Sequence, residues 1–343
     1  MSIMKSLRKQ AFHVADSYVM AEWGSRVFWG NFLINTVTCR ICRPCLKEVR
    51  FMKKLARSVA LSLMVAVSTA VAANCVEAQW AMRLADHKVI SFESMLDEIR
   101  GSKLIFVGEI HDRKEHHVAQ LDVIKALKQS GAPLAIGLEM FTAESQGNLD
   151  QWGAGKLDPD DFIKLYNREW KIPWPLYRDI FIYAREQHIP LIGLNVPREI
   201  IHKVAQEGFA ALTPEQRKML PAGITCNVDP TYKAFIQKAY MMGHTINDKS
   251  FVYFCESQML WNKSLGWHLK EYLKQNPGRT VIVLAGLGHA MKAGIPEEIF
   301  RGTRFGYKVL LPELPGLDSN AITTADADYL LLFEQADNSE GAR

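Results

Sequence analysis

Glu109, His111, Glu139 and His289 stand where apolar runs end, and their side chains carry the chemistry. The runs are Leu104-Ile105-Phe106-Val107-Gly108, then Leu134-Ala135-Ile136-Gly137-Leu138, then Val281-Ile282-Val283-Leu284-Ala285 before Gly286-Leu287-Gly288-His289. Two carboxylates and two imidazoles suit a divalent transition metal, or an acid/base pair working without one. Glu109, His111 and His289 are the expected metal ligands, and all four residues are the expected catalytic groups of a hydrolase. A blander reading has Glu109, His111 and Asp112 satisfying amides at a helix N-terminus, with the glycines before His289 forming an anion-binding turn. Recurrence at three run ends favours the chemical reading. Neither a P-loop nor a nucleophile-elbow serine is present.

Such near-continuous Val/Ile/Leu runs describe strands covered on both faces, as in a parallel sheet. Polar groups at the carboxyl ends of those strands converge on one crevice. Helices are expected at Phe92–Ile99, His116–Lys128, Leu176–Glu186, Ile200–Phe209, Pro214–Met219 and Phe251–Lys274, with a helical region beginning at Glu144–Trp152 and strands at 104–107, 134–138, 190–193 and 280–284. Val309–Leu310 and Tyr329–Phe333 are expected as late or edge strands. The fold class is therefore α/β: a doubly wound, mostly parallel sheet flanked by helices. Residues 197–250 offer helices and no strand, and form the expected smaller helical subdomain.

The N-terminal part reads differently. Met52-Lys53-Lys54-Leu55-Ala56-Arg57 is basic, Ser58–Ala73 has no charge, and Ala70, Ala72 and Ala73 offer cleavage chemistry. That is a signal peptide over 52–78 rather than a spanning helix, which makes 1–51 a leader of doubtful status, 79–335 the folded domain and 336–343 a tail. Export to the periplasm follows. Membrane attachment would come only through a lipid anchor at Cys75, against which the preceding Asn74 counts. Of the 41 Lys+Arg and 37 Asp+Glu in the chain, residues 1–57 hold 11 and 3, leaving 30 and 34. The net charge of +4 thus belongs to the leader, and nothing in the folded part points to nucleic acid. Cys39-x-x-Cys42-x-x-Cys45 has metal-ligand spacing but lacks a partner cluster. Cys226 and Cys255 could form one bridge or remain two buried thiols.

A second stretch, Trp170-Lys171-Ile172-Pro173-Trp174-Pro175-Leu176-Tyr177-Arg178, has Trp152, Tyr166 and Tyr183 around it. Aromatic and basic residues together suit a flat apolar ligand bearing carboxylates; the alternative is a packed loop clamping the sheet. A tyrosine can ligate haem iron while Lys or Arg neutralises propionates. Tyr232-Lys233 and Tyr240-Met241-Met242-Gly243-His244 offer a second such set, or an amphipathic helix with core Met and surface His.

Six motifs in order carry a resemblance: Val107-Gly108-Glu109-Ile110-His111-Asp112, Gly137-Leu138-Glu139-Met140-Phe141, Leu194-Asn195-Val196-Pro197-Arg198, Ser257-Gln258-Met259-Leu260-Trp261-Asn262, Gly286-Leu287-Gly288-His289 and Gly294-Ile295-Pro296. Together they resemble the ChaN-like haem-binding (lipo)proteins, in a superfamily shared with Tiki proteases and erythromycin esterases. The resemblance implies a homodimer that holds haem near its interface through an axial tyrosine, with His and Lys on the propionates, and envelope haem-transport components as partners. It points to Tyr177 as the axial ligand and to Lys233, Lys238 and His244 as the propionate partners. One departure is Asn262, where the family commonly has aspartate; an amide cannot serve as an anionic metal ligand or general base. Two functions follow: a haem-binding protein of haem and iron uptake or storage, and, as the rival, a metal-dependent hydrolase built on the Glu/His set.

Overall fold

The computed structural model describes residues 78–241, 248–300, 306–313 and 321–333. Eight strands form one sheet: β1 Ala78–Arg83, β2 Lys88–Ser91, β3 Leu104–Glu109, β4 Leu134–Thr142, β5 Leu191–Asn195, β6 Thr280–Gly286, β7 Tyr307–Pro312 and β8 Tyr329–Phe333. Their order is β2-β1-β8-β7-β3-β6-β4-β5. From β8 to β5 every pairing is parallel, while β1 is antiparallel to both β2 and β8.

Every residue of β3 and β5 is buried, as a strand covered on both faces requires. Side chains alternate across the pleat. Leu104 and Phe106 of β3 join one apolar layer, Ile105 and Val107 the other. The second layer is roofed by α1 (Phe92–Ile99), α2 (Lys114–Gln129), α3 (Gln146–Gly153), α4 (Pro159–Glu169) and α5 (Trp174–Glu186). The first is roofed by α6 (Arg198–Glu207), α8 (Pro230–Met241), α9 (Asp248–Gln275) and α11 (Ile295–Phe300), with α7 (Pro214–Lys218) between α6 and α8 and the short α10 (Leu287–Ala290) leaving β6. Winding β3→β4→β5 under one layer and β6→β7 under the other gives the doubly wound arrangement. Between Pro197 and Ser250 the described residues form helices and connecting loops, with no strand, and these helices pack on the same sheet.

Two expectations need correction, and a third gains detail. β7 and β8 are the late strands expected, but they lie inside the sheet and not at an edge, which β2 and β5 form; strand order is a non-local property that short apolar runs do not reveal. Residues 78–91, given no element from the sequence, supply β1 and β2. Residues 159–169, within the helical region expected to begin at Glu144–Trp152, form α4, which starts with an Asp158 cap that accepts from Asp160 N, and Pro159 in the first turn. Cys226 and Cys255 are bridged, tying the loop before α8 to α9. Among the described residues no helix is long and apolar enough to cross a membrane. The leader, the signal-peptide segment, Cys75, His244 and the tail lie outside the described residues.

Candidate functional site

Register brings the strand-end groups together. Glu109, the last residue of β3, pairs with Gly286, the last of β6, and Leu138 of β4 pairs with Leu284. Glu139 therefore follows on β4 beside the same end of β6, and His289 stands on α10 one turn beyond it.

Glu109 is buried and surrounded by donors. Its Oε1 accepts from His111 Nδ1 at 2.7 Å and from the Tyr177 hydroxyl; Oε2 accepts from Gln120 Nε2 at 2.8 Å. His117 Nε2 stands 3.4 Å from Oε2 without completing a hydrogen bond, and its ring lies 4.0 Å from that of Tyr177. Burial alone would raise the Glu109 carboxyl, but the His111 hydrogen bond and charge, with Tyr177, hold it down at about 2. For His111, burial opposes the charged form, and the Glu109 and Glu139 carboxylates prevail and raise it.

Glu139 and His289 form the other half. Glu139 Oε2 accepts from Gly286 N at 2.5 Å, and its Oε1 is 3.8 Å from His289 Nε2. His289 Nδ1 is 2.7 Å from Asn262 Oδ1. Burial lowers the His289 imidazole against the pull of Glu139. A Cβ at Gly286 would stand 2.9 Å from His111 Cε1 and 3.6 Å from Glu139 Oε2. A larger residue there would press on the His111 ring where it now stands. Trp170 lies edge-on to His111 and Trp261 beside His289, at 5.0 and 4.9 Å.

The structure thus gathers Glu109, His111, Glu139 and His289 at one end of the sheet. It does not arrange them as metal ligands: among the described residues no three His, Cys, Asp or Glu side chains are placed to hold a metal ion. Glu109 is instead directed at His111, Tyr177 and Gln120. Sequence reasoning missed His117, Gln120 and the Tyr232–Asn262 pair (Asn262 Nδ2 to the Tyr232 hydroxyl, 2.9 Å). The His116-His117 pair just after Glu109 and His111 was the available signal for the first.

The aromatic stretch is largely packing. Trp152 and Phe162 stack at 4.0 Å, and Trp174 stacks on Phe181 at 5.6 Å. Tyr177 is fully buried, and its phenol donates to Glu109. Burial, and then the Glu109 charge, push that phenol well above 10. Ferric iron takes a phenolate with open access, so Tyr177 in this arrangement does not fit an axial role. Lys233 and Lys238 are exposed on α8, whose buried face carries Tyr232, Ile236 and Tyr240. Met241, expected in the core, is 51% exposed.

A different surface combines accessible aromatics with cations. Gly208, with φ +86°, ends α6, and a Cβ there would meet the Tyr253 ring at 2.5 Å. Tyr253, half-buried on α9, therefore lies against Gly208, with Lys249 Nζ 5.6 Å from its ring centre. Next to Gly208, half-buried Phe209 carries the Arg217 guanidinium 5.7 Å from its ring centre. Two rings, each with a cation over it, suit a planar ligand with carboxylates.

A family model for haem-binding uptake proteins (Tiki superfamily, ChaN) matches residues 95–299. Among solved structures, ChaN of Campylobacter jejuni with cofacially bound haem is similar at a TM-score of 0.61 and 20% identity, over 75% of this chain and 97% of that one. An erythromycin esterase, EreC, is similar at a TM-score of 0.42 and 14% identity, over 75% and 83% of the two chains. A curated Arabidopsis thaliana protein, the chloroplastic Protein RETICULATA-RELATED 5, is 24% identical over 136 residues, spanning 37% of this chain and only 18% of that protein. The match over residues 95–299 covers more than half of the sequence, from α1 to α11 and across every strand-end residue described above, and so the chain belongs to the ChaN haem-binding family of the Tiki superfamily.

Proposed function

We propose that the protein binds haem on the outer surface of the helical layer, as part of bacterial haem and iron uptake or storage. Membership of a haem-binding uptake family carries the reading. The axial ligand is assigned by access. Tyr166, Tyr177, Tyr232, Tyr240 and Tyr329 are buried, and the hydroxyl of Tyr272 is buried too. Tyr183 and Tyr307 are half-exposed with no cation over the ring among the described residues, whereas Tyr253 has one. Tyr253 is the proposed axial ligand, Phe209 the stacking surface, and Arg217 and Lys249 the propionate partners, with Lys233 and Lys238 as further cations.

Bound haem would supply the coloured, iron-bearing cargo; the chain's own groups position it and neutralise its carboxylates. A face holding a planar ligand in the open is completed by a second copy, so haem is expected to favour a homodimer. Export to the periplasm is supported by the signal-like segment 52–78 and by the Cys226–Cys255 bridge, which persists in oxidising compartments. Sedimentation velocity with and without hemin tests the reading. A saturable visible absorbance sedimenting with a heavier species supports it; free hemin and an unchanged boundary refute it.

A further inference from the structure

His289 is held by a chain of hydrogen bonds whose direction is set at its far end. The Gly288 carbonyl only accepts, so the Tyr232 hydroxyl donates to it at 2.9 Å. The Tyr232 oxygen then accepts from Asn262 Nδ2 at 2.9 Å, which turns Asn262 Oδ1 to His289 Nδ1 at 2.7 Å. An amide oxygen cannot donate. The neutral His289 ring therefore carries its proton on Nδ1 and its lone pair on Nε2.

That lone pair faces another acceptor. Nε2 is 3.8 Å from Glu139 Oε1, which is buried and has no hydrogen-bond partner. The other oxygen of Glu139 is already taken by Gly286 N. A buried carboxylate oxygen left without a donor is costly. Trp261, 4.9 Å from His289, adds an aromatic wall.

We propose that this pair of strand-end acceptors binds a ligand through a primary ammonium group, bridging Glu139 Oε1 and His289 Nε2. An ammonium has three donors and no lone pair, so it satisfies both acceptors without opposing either. A hydroxyl brings one donor, which serves one acceptor only. The unpaired oxygen belongs to a carboxylate, which favours a cation. The proposal uses none of the residues proposed to hold haem and does not depend on haem.

The test uses the full chain with 15N-labelled histidine, titrated with propylammonium and, as a neutral control, 1-propanol. The expected result is a saturable shift of the His289 Nε2 resonance with the amine and none with the alcohol. Glu139→Gln is expected to weaken amine binding at least about tenfold, the scale of one hydrogen bond to a charged group. Asn262→Leu unlocks the tautomer, so a His289 Nε2–H signal should appear and amine affinity should fall, which keeps the test open if Glu139→Gln does not fold. Overturning results are no saturable amine shift, equal binding of 1-propanol, unchanged affinity in Glu139→Gln, or a pair that takes Zn2+ and excludes the amine. Hemin binding is read separately by absorbance, so either site can fail without the other.

Discussion

Tyr177 of α5 donates its phenolic proton to Glu109 at the end of β3, joining two buried groups 68 positions apart. This bond explains both why a buried carboxylate persists in the core and why the phenol is closed to other chemistry. Tyr177→Phe removes one donor from a buried acceptor, and is expected to cost about 1–3 kcal/mol of stability. Chemical denaturation of Tyr177→Phe, Glu109→Gln and the double variant checks it; the single losses should not add, since the two groups share one bond. Additive losses would contradict the coupling.

Acid should destabilise the fold in two stages. His116 is buried, and its Nδ1 accepts from Ile110 N at 2.9 Å. Burial, with His117 and Arg113 adding to it and Glu109 opposing, lowers it from 6.5 to about 4. The unfolded chain then binds the extra proton first, so this stability is complete above pH 6.5 and is lost as pH falls towards 4, by roughly 3 kcal/mol at most. Glu109, lowered from 4.5 to about 2, contributes stability present above 4.5 that drains below it. His111 is raised, so its contribution runs the other way, present below 6.5 and lost as pH rises through its folded value. Urea midpoints across pH 3–8 should fall below pH 6.5, and His116→Gln should flatten the first stage. A midpoint independent of pH in that range would refute the assignment.

Crowding at the strand ends makes glycine substitutions informative. At Gly286 an added Cβ meets the His111 ring at 2.9 Å; at Gly193 it meets the Thr142 carbonyl oxygen at 2.2 Å. A ring can turn, whereas backbone of β4 cannot. Gly286→Ala should cost about 1–3 kcal/mol and Gly193→Ala more, as read by thermal unfolding. Equal tolerance at both positions would contradict this packing.

The Cys226–Cys255 bridge closes a loop with a separation of 29 residues. Its removal should cost about 3–4 kcal/mol by chain entropy. Comparing thermal unfolding of the protein with and without reductant tests it, and identical transitions would show that the bridge does not form.

Much of this was legible in the sequence for local reasons. The runs ending at Glu109, Glu139 and Gly286 are strands because unbroken apolar residues need cover on both faces, and parallel strands deliver their ends to one place. Properties set by distant partners were not legible. The interior position of β7 depends on pairing with β3, and the buried state of Tyr177 depends on where α5 crosses Glu109. Trp170 and Trp174 look the same in sequence whether they line a ligand or pack; in the fold Trp174 stacks on Phe181, whereas Trp170 stands edge-on to His111. Asn262 drew notice as a departure from the family pattern; its role in orienting His289 required the Tyr232–Gly288 contact.

The most direct measurement is the absorbance spectrum of the protein titrated with hemin, alongside Tyr253→Phe and Tyr177→Phe. A saturable Soret shift with tyrosinate charge-transfer bands is expected, lost in Tyr253→Phe and kept in Tyr177→Phe. No saturable shift would contradict haem binding itself; bands that survive Tyr253→Phe and vanish in Tyr177→Phe would contradict the surface site and return the iron to the buried tyrosine.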